Sequence, residues 1–153
     1  MEGIEDLPRE SGNLSETCHS GIMSEMIFAT EAVKQGFGVF FPVGHSHKAD
    51  LVVWKPPARP VTVQVKKATW QKGGAFKFMV GSGKPSCAAN PNDYGKRYTP
   101  YQKGDFDVLC AHIAEHDTFA FYNLEDLAGK SSHRWRAGIG QRENNWDIFK
   151  RKQ

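Results

Sequence analysis

Apolar and polar positions recur along this chain in two periods, and the change of period marks its elements. Between Ser20 and about Gln35, Ile22, Met26, Ala29 and Val33 fall at helical spacing and predict a helix with one buried stripe. Ser20 suits the helix start and Gly36 its stop. Glu25 lies at the edge of the stripe, one turn before Ala29. The period then shortens. Gly38 to Val43 (GVFFPV) reads as a strand with Pro42 at an edge or bend, and Gly44 to Lys48 as a turn. Asp50 leads into a second strand, Leu51 to Trp54, which stops at Pro56-Pro57. In the third strand, Val61, Val63 and Val65 occupy one face and Thr62, Gln64 and Lys66 the other.

Ala75 to Val80 predicts a fourth strand, and residues 81–103, rich in Gly, Pro, Asn and Ser, a long loop. Asp107 to Ile113 and Thr118 to Tyr122 read as a hairpin turned at Glu115-His116-Asp117, followed by a short helix from Asn123 to Leu127. The pattern predicts an α/β fold, a central mixed sheet of four to five strands flanked by helices. The division expected is a flexible N-terminal arm over 1–19, a core domain over 20–130 and a basic C-terminal tail over 131–153.

Composition adds one point, the distribution of charge, which an ordinary solvated surface would also allow. At 153 residues, 39% hydrophobic and 24% charged, the chain suits one globular domain, and a net charge of +3 says little about partners. Yet Arg59, Lys66, Lys67, Lys72, Lys77, Lys84, Lys96, Arg97 and Lys103 face a single acid, Asp93, within that stretch. Such an asymmetry suits a surface that meets a polyanion. Lys96, Arg97 and Lys103 interleave with Tyr94, Tyr98 and Tyr101, a mixture fit for phosphate contact and stacking. His45, His47 and Lys48 lie in the turn beside Asp50, and with Lys67 and Lys72 they are candidate DNA contacts.

Three cysteines at unrelated spacings make no disulfide framework. No apolar run of about 18 residues exists, and the acidic start MEGIEDLPRE has no signal-peptide h-region. A soluble, intracellular protein is expected. His45, His47, Cys110, His112 and His116 lack zinc-site spacing, and Cys110 and His112, on one strand face, read as buried structural residues.

Hydrolysis of a phosphodiester with a divalent ion needs a hard carboxylate ligand, a second oxygen ligand and a cation for the charge developing at phosphorus. Asp50, the Gln64 amide oxygen and Lys66 supply these from two adjacent strands. Taken singly, Asp50 is an ordinary turn residue, and Gln64 and Lys66 suit the solvent face of an amphipathic strand.

The order Glu25 on a helix, Asp50, Pro56-Pro57, then Val63-Gln64-Val65-Lys66 resembles the PD-(D/E)xK nuclease motif. Within that superfamily it is similar to intron-encoded homing endonucleases, and from Asp107 onward to Holliday junction resolvases. The resemblance implies a restriction-endonuclease-like core and a metal-dependent DNA endonuclease. Asp50 would be the bridging metal ligand, Gln64 would replace the acidic ligand, Lys66 would position water or stabilise charge, and Glu25 would bind or orient a second ion. It also implies Mg²⁺ as cofactor with Mn²⁺ substituting, double-stranded or branched DNA as substrate, and a homodimer or homotetramer. Gln64 departs from the pattern, being neutral, and the alternative it implies is a DNA-binding protein that keeps the fold without cutting.

Overall fold

In the computed structural model, which describes residues 16–44, 47–82, 99–136 and 144–150, the first element is helix α1, Glu16–Lys34. It ends as expected at Gly36, whose φ of 84° only glycine adopts freely. The Gly36 and Phe37 amides donate to the Val33 and Ala32 carbonyls at 2.9 and 3.0 Å, which is the double closure of a Schellman motif. Phe37 then packs into the same core as Ala32.

The strands follow as β1 (Gly38–Phe40), β2 (Leu51–Trp54), β3 (Val61–Lys67), β4 (Thr69–Gln71), β5 (Ala75–Met79), β6 (Gly81–Ser82), β7 (Thr99–Pro100), β8 (Val108–Ile113) and β9 (Thr118–Asn123). Helix α2 (Leu124–Leu127), strand β10 (Ser132–Trp135) and a 3₁₀ turn at Trp146–Phe149 complete the order. The main sheet is five-stranded in the order β1-β2-β3-β8-β9. Only the central β3–β8 pair is parallel. A smaller sheet has the order β10-β5-β4, and β6 pairs with β7.

Alternation along the central strands sends side chains into two cores. On one face, Val63, Val65, Val108, Cys110, Phe119 and Phe121 meet Phe28, Ala29 and Ala32 of α1, together with Trp146 and Phe149. On the other, Leu109, Ala111, Ile113, Ala120 and Tyr122 meet Phe76 and Phe78 of the small sheet. Strand β8 lies between both layers, so all six of its residues are buried. That explains why Val108–Ile113 reads as an unbroken apolar run apart from His112.

A parallel pair that no tight turn joins takes its register from its hydrophobic alternation and from contacts at its first residues. Asp107, directly before β8, provides these contacts. Its carboxylate accepts from the Thr62 amide at 3.0 Å, the Thr62 hydroxyl at 3.1 Å and both Arg59 terminal nitrogens at 3.3 Å. Burial alone would raise the Asp107 carboxyl, but these donors outweigh it and hold it below its usual value.

Four expectations change. The helix starts at Glu16, not Ser20. The stripe expected from Ile22, Met26, Ala29 and Val33 is rotated: Ile22, Met26 and Val33 are exposed, and the buried positions are Ser24, Phe28, Ala29 and Ala32. Phe28 sets this phase because its ring packs with Phe119, Phe121, Trp146 and Phe149 at centroid distances of 5.7 to 6.2 Å. The fourth strand, β5, belongs to the small sheet, while β1 fills the fifth place in the main one. Within the expected tail, β10 pairs with β5, and Trp146 and Phe149 are core residues. The expected hairpin is present, its turn closed by Asp117 at a φ of 45°. No helix among the described residues is long and apolar enough to cross a membrane.

The rotated phase predicts unequal costs of substitution. Phe28→Ala should lower stability by about 3–5 kcal/mol, and Val33→Ala by no more than about 0.5 kcal/mol, as read from urea unfolding. Equal losses would restore the original stripe.

Candidate active site

Hydrogen bonding across β2 and β3 builds the site. The antiparallel register pairs Leu51 with Val63, so the next residue outward, Asp50, lies alongside Gln64. Its amide donates to the Val63 carbonyl at 2.8 Å. Asp50 Oδ2 accepts from the Val65 amide at 2.8 Å and from Gln64 Nε2. Gln64, only 8% exposed, also donates to the Val65 carbonyl at 3.2 Å. Lys66, one alternation further on, follows the same face of β3, and its Nζ lies 5.4 Å from the Tyr101 ring centre. Lys48 approaches the same ring at 5.8 Å and donates to Ser82 Oγ at 3.4 Å. The aromatic floor beneath both ammonium groups favours them electrostatically.

Glu25 comes from α1 on the neighbouring layer and joins this charge group. Burial raises its carboxyl to about 7, Asp50 adds repulsion, and Lys66 offsets part of the rise. Burial likewise raises Asp50 to about 6, against the opposing pull of the Val65 amide, Lys66 and Gln64. Burial lowers the Lys66 ammonium, which Asp50 and Glu25 counter. Two carboxylates and one ammonium thus act on one another while partly desolvated, where each charge is felt strongly.

That group fits a divalent cation. Its donors are all hard oxygens, from Asp50, Glu25 and the Gln64 amide, as Mg²⁺ prefers. A dication would relieve the repulsion between the carboxylates. Among the described residues no three His, Cys, Asp or Glu side chains come together, so Gln64 is needed as the third protein oxygen.

The rest of the candidates separate by position. Lys67 at the end of β3, Lys72 at the β4–β5 turn, His47 and Lys48 are exposed. His45, Lys96 and Arg97 lie outside the described residues, as does most of the 81–103 loop. His112 and Cys110 are buried in β8. Burial pushes the Cys110 thiol far up, with the nearby Asp50 charge adding to it. His112 Nδ1 lies 3.0 Å from Ser24 Oγ, and its ring stacks on Phe119 at 5.1 Å. Burial lowers its pKa, which keeps it neutral. Sequence reasoning did not find this contact, which fixes α1 one residue before Glu25. A polar Ser24 inside an otherwise apolar helix face was the available sign.

The family model described as PD-(D/E)XK endonuclease matches residues 15–148. Protein 5.3 of Escherichia phage T7 is 31% identical over 122 residues, covering 78% of this chain and 90% of its own. A solved bacterial homing endonuclease superposes with a TM-score of 0.67 at 22% identity, covering 83% of this chain and 82% of its own. At that identity the superposition speaks for the fold alone.

The raised carboxyls predict a pH dependence. A carboxyl whose folded value exceeds its unfolded one favours folding fully below the unfolded value and loses that contribution as pH rises through the folded one. With folded values of about 6 for Asp50 and about 7 for Glu25, the melting temperature in EDTA should fall from about pH 5 to about pH 8. Asp50→Asn and Glu25→Gln should each flatten that fall. A slope unchanged in both variants would contradict the buried pair.

Proposed function

The chain belongs to the PD-(D/E)XK endonuclease family, and from that premise we propose that it hydrolyses phosphodiester bonds in DNA with the help of a divalent metal ion. The observation that supports this most is the convergence of Glu25 and Lys66 on the charge of Asp50, whose carboxylate Gln64 holds. In this reading Asp50, Gln64 and Glu25 hold Mg²⁺, or Mn²⁺ in its place. When bound, such an ion polarises the phosphoryl oxygens and neutralises charge there.

The protein's own groups do the remaining work. Lys66, lowered by burial, donates hydrogen bonds to the attacking water or to a non-bridging phosphate oxygen, where negative charge grows. Tyr101 and the two carboxylates restrict where its ammonium sits. Water adds to phosphorus and gives up one proton, one P–O ester bond breaks, and the departing oxygen takes up one proton in turn, so that H and OH are added across the bond. Lys48, Lys67 and Lys72, with His47, meet neighbouring phosphates, as do His45, Lys96 and Arg97.

One such centre cuts one strand. Cleavage of both strands, as by a homing-type endonuclease, or resolution of a four-way junction needs two centres, which a homodimer or homotetramer supplies. Exposed Phe40 on the outer strand β1, and Phe41 and Val43 beyond it, support burial against a second copy.

A second reading has its own support. The Gln64 amide nitrogen is already committed to Asp50, an arrangement that satisfies the carboxylate without an ion. In that reading the protein binds DNA and cuts nothing.

A cleavage assay on supercoiled plasmid and a synthetic four-way junction decides between them. Cutting is expected in Mg²⁺ and Mn²⁺, none in EDTA, and a loss of at least about 10²-fold in both Asp50→Ala and Lys66→Ala. Preference for the junction over the plasmid separates resolvase from homing-type action. Binding without cutting in any divalent ion, even on duplexes selected from a randomised pool, would establish the second reading. Gln64→Glu restores a negative charge, so the Mg²⁺ concentration giving half-maximal rate should fall.

A further inference from the structure

The small sheet presents two different faces. Phe76 and Phe78 of β5 point inward and are buried, with His133 and Trp135 of β10 paired opposite them. Alternation sends Ala75, Lys77 and Met79 outward. The registers place Arg134 directly opposite Lys77 on one side and Thr69 directly opposite Lys77 on the other. Cross-strand partners share a face. The outward row therefore reads Thr69, Lys77, Arg134, with Gln71 and Ser132 beside it.

Like charges directly opposite one another destabilise a sheet. The outward positions of β4, β5 and β10 hold no acid that would offset the pair, and neither cation takes part in an ion pair among the described residues. The remaining outward side chains are Gln71, Ser132, Ala75 and the half-exposed Met79. A polyanion laid along the row would compensate both charges at once.

The sheet is also tied to the candidate centre at both ends. Only Ala68 separates β4 from Lys67 at the end of β3. Beyond β5, Ser82 of β6 accepts from Lys48, two residues before Asp50. The β4–β5 turn, Lys72-Gly73-Gly74, adds a further cation at the tip, and its glycines have φ of 106° and 83°.

We infer that the outer face of this sheet, centred on Lys77 and Arg134, is a second DNA-backbone seat that grips the substrate duplex away from the bond being cut. The inference rests on the nuclease reading for the identity of the polyanion. It adds a contact that is electrostatic and independent of base sequence.

The test is anisotropy of the full-length protein with a labelled, non-specific 30-base-pair duplex in EDTA across a salt series. Each phosphate contact contributes about 0.9 to the slope of log affinity against log salt. Lys77→Ala/Arg134→Ala should reduce that slope by nearly two and weaken binding at least about tenfold at 0.1 M salt. The single variant Lys77→Glu places an acid opposite Arg134. It should melt at the same or a higher temperature yet bind DNA more weakly, a combination that a purely structural pair does not produce.

Unchanged slope and affinity in both variants overturn the inference. Should the double variant fail to fold, Lys77→Glu decides alone. A wild type that cuts DNA while the slope stays unchanged removes this seat and leaves the nuclease reading intact. A wild type that never cuts, but whose slope falls in the variants, keeps the seat and removes catalysis.

Discussion

The registry between β3 and β8 is the constraint on which the remaining structure depends. A hairpin sets its own register through its turn, and a parallel pair has no such device. Here one carboxylate does the work: Asp107 ties Thr62 and Arg59 to the first residue ahead of β8. With that register set, Val63 stands beside Val108 and Val65 beside Cys110 on the α1 side. Gln64 and Lys66 are thereby aimed to the opposite side. Strand β2 takes its position from β3, so Asp50 inherits its place from the same anchor. A slip of one residue would turn Lys66 into the apolar core and withdraw Asp50 from Gln64.

The helix contributes the other half of the arrangement through a different force. Phe28 is held among four aromatic rings, and the hydroxyl of Ser24 reaches His112. These two contacts fix the rotation and height of α1, and Glu25, between them in sequence, is carried to the carboxylate and lysine group. Apolar packing thus holds charged groups in a place they would not choose. The raised values of Glu25 and Asp50 are the measure of that conflict.

How much was legible depended on the range of the contact. Gln64, Lys66 and Asp50 were found together because strand alternation and a short β2–β3 connection are local facts. The mixed five-stranded sheet followed from the same local periodicity. The phase of α1 was misjudged because hydrophobic spacing weighs Ile22, Met26 and Val33 like core residues, whereas the distant aromatics of β9 and residues 146–149 select Phe28. The small sheet was invisible for a related reason. Its strand β10 lies more than fifty residues beyond β5, and nothing in SHRW alone announces its partner. Lys77 was noticed as charge and Arg134 as part of a basic segment, but their apposition exists only in the register.

The docking of Trp146 and Phe149 has a consequence for the order of events during synthesis. Both rings fill the space between α1 and the main sheet, next to Phe28, which is made far earlier. A nascent chain emerging from the ribosome therefore lacks the two rings that cover Phe28 and Phe121 until residue 149 has appeared. The rings that complete this core are thus the last part of it to be made.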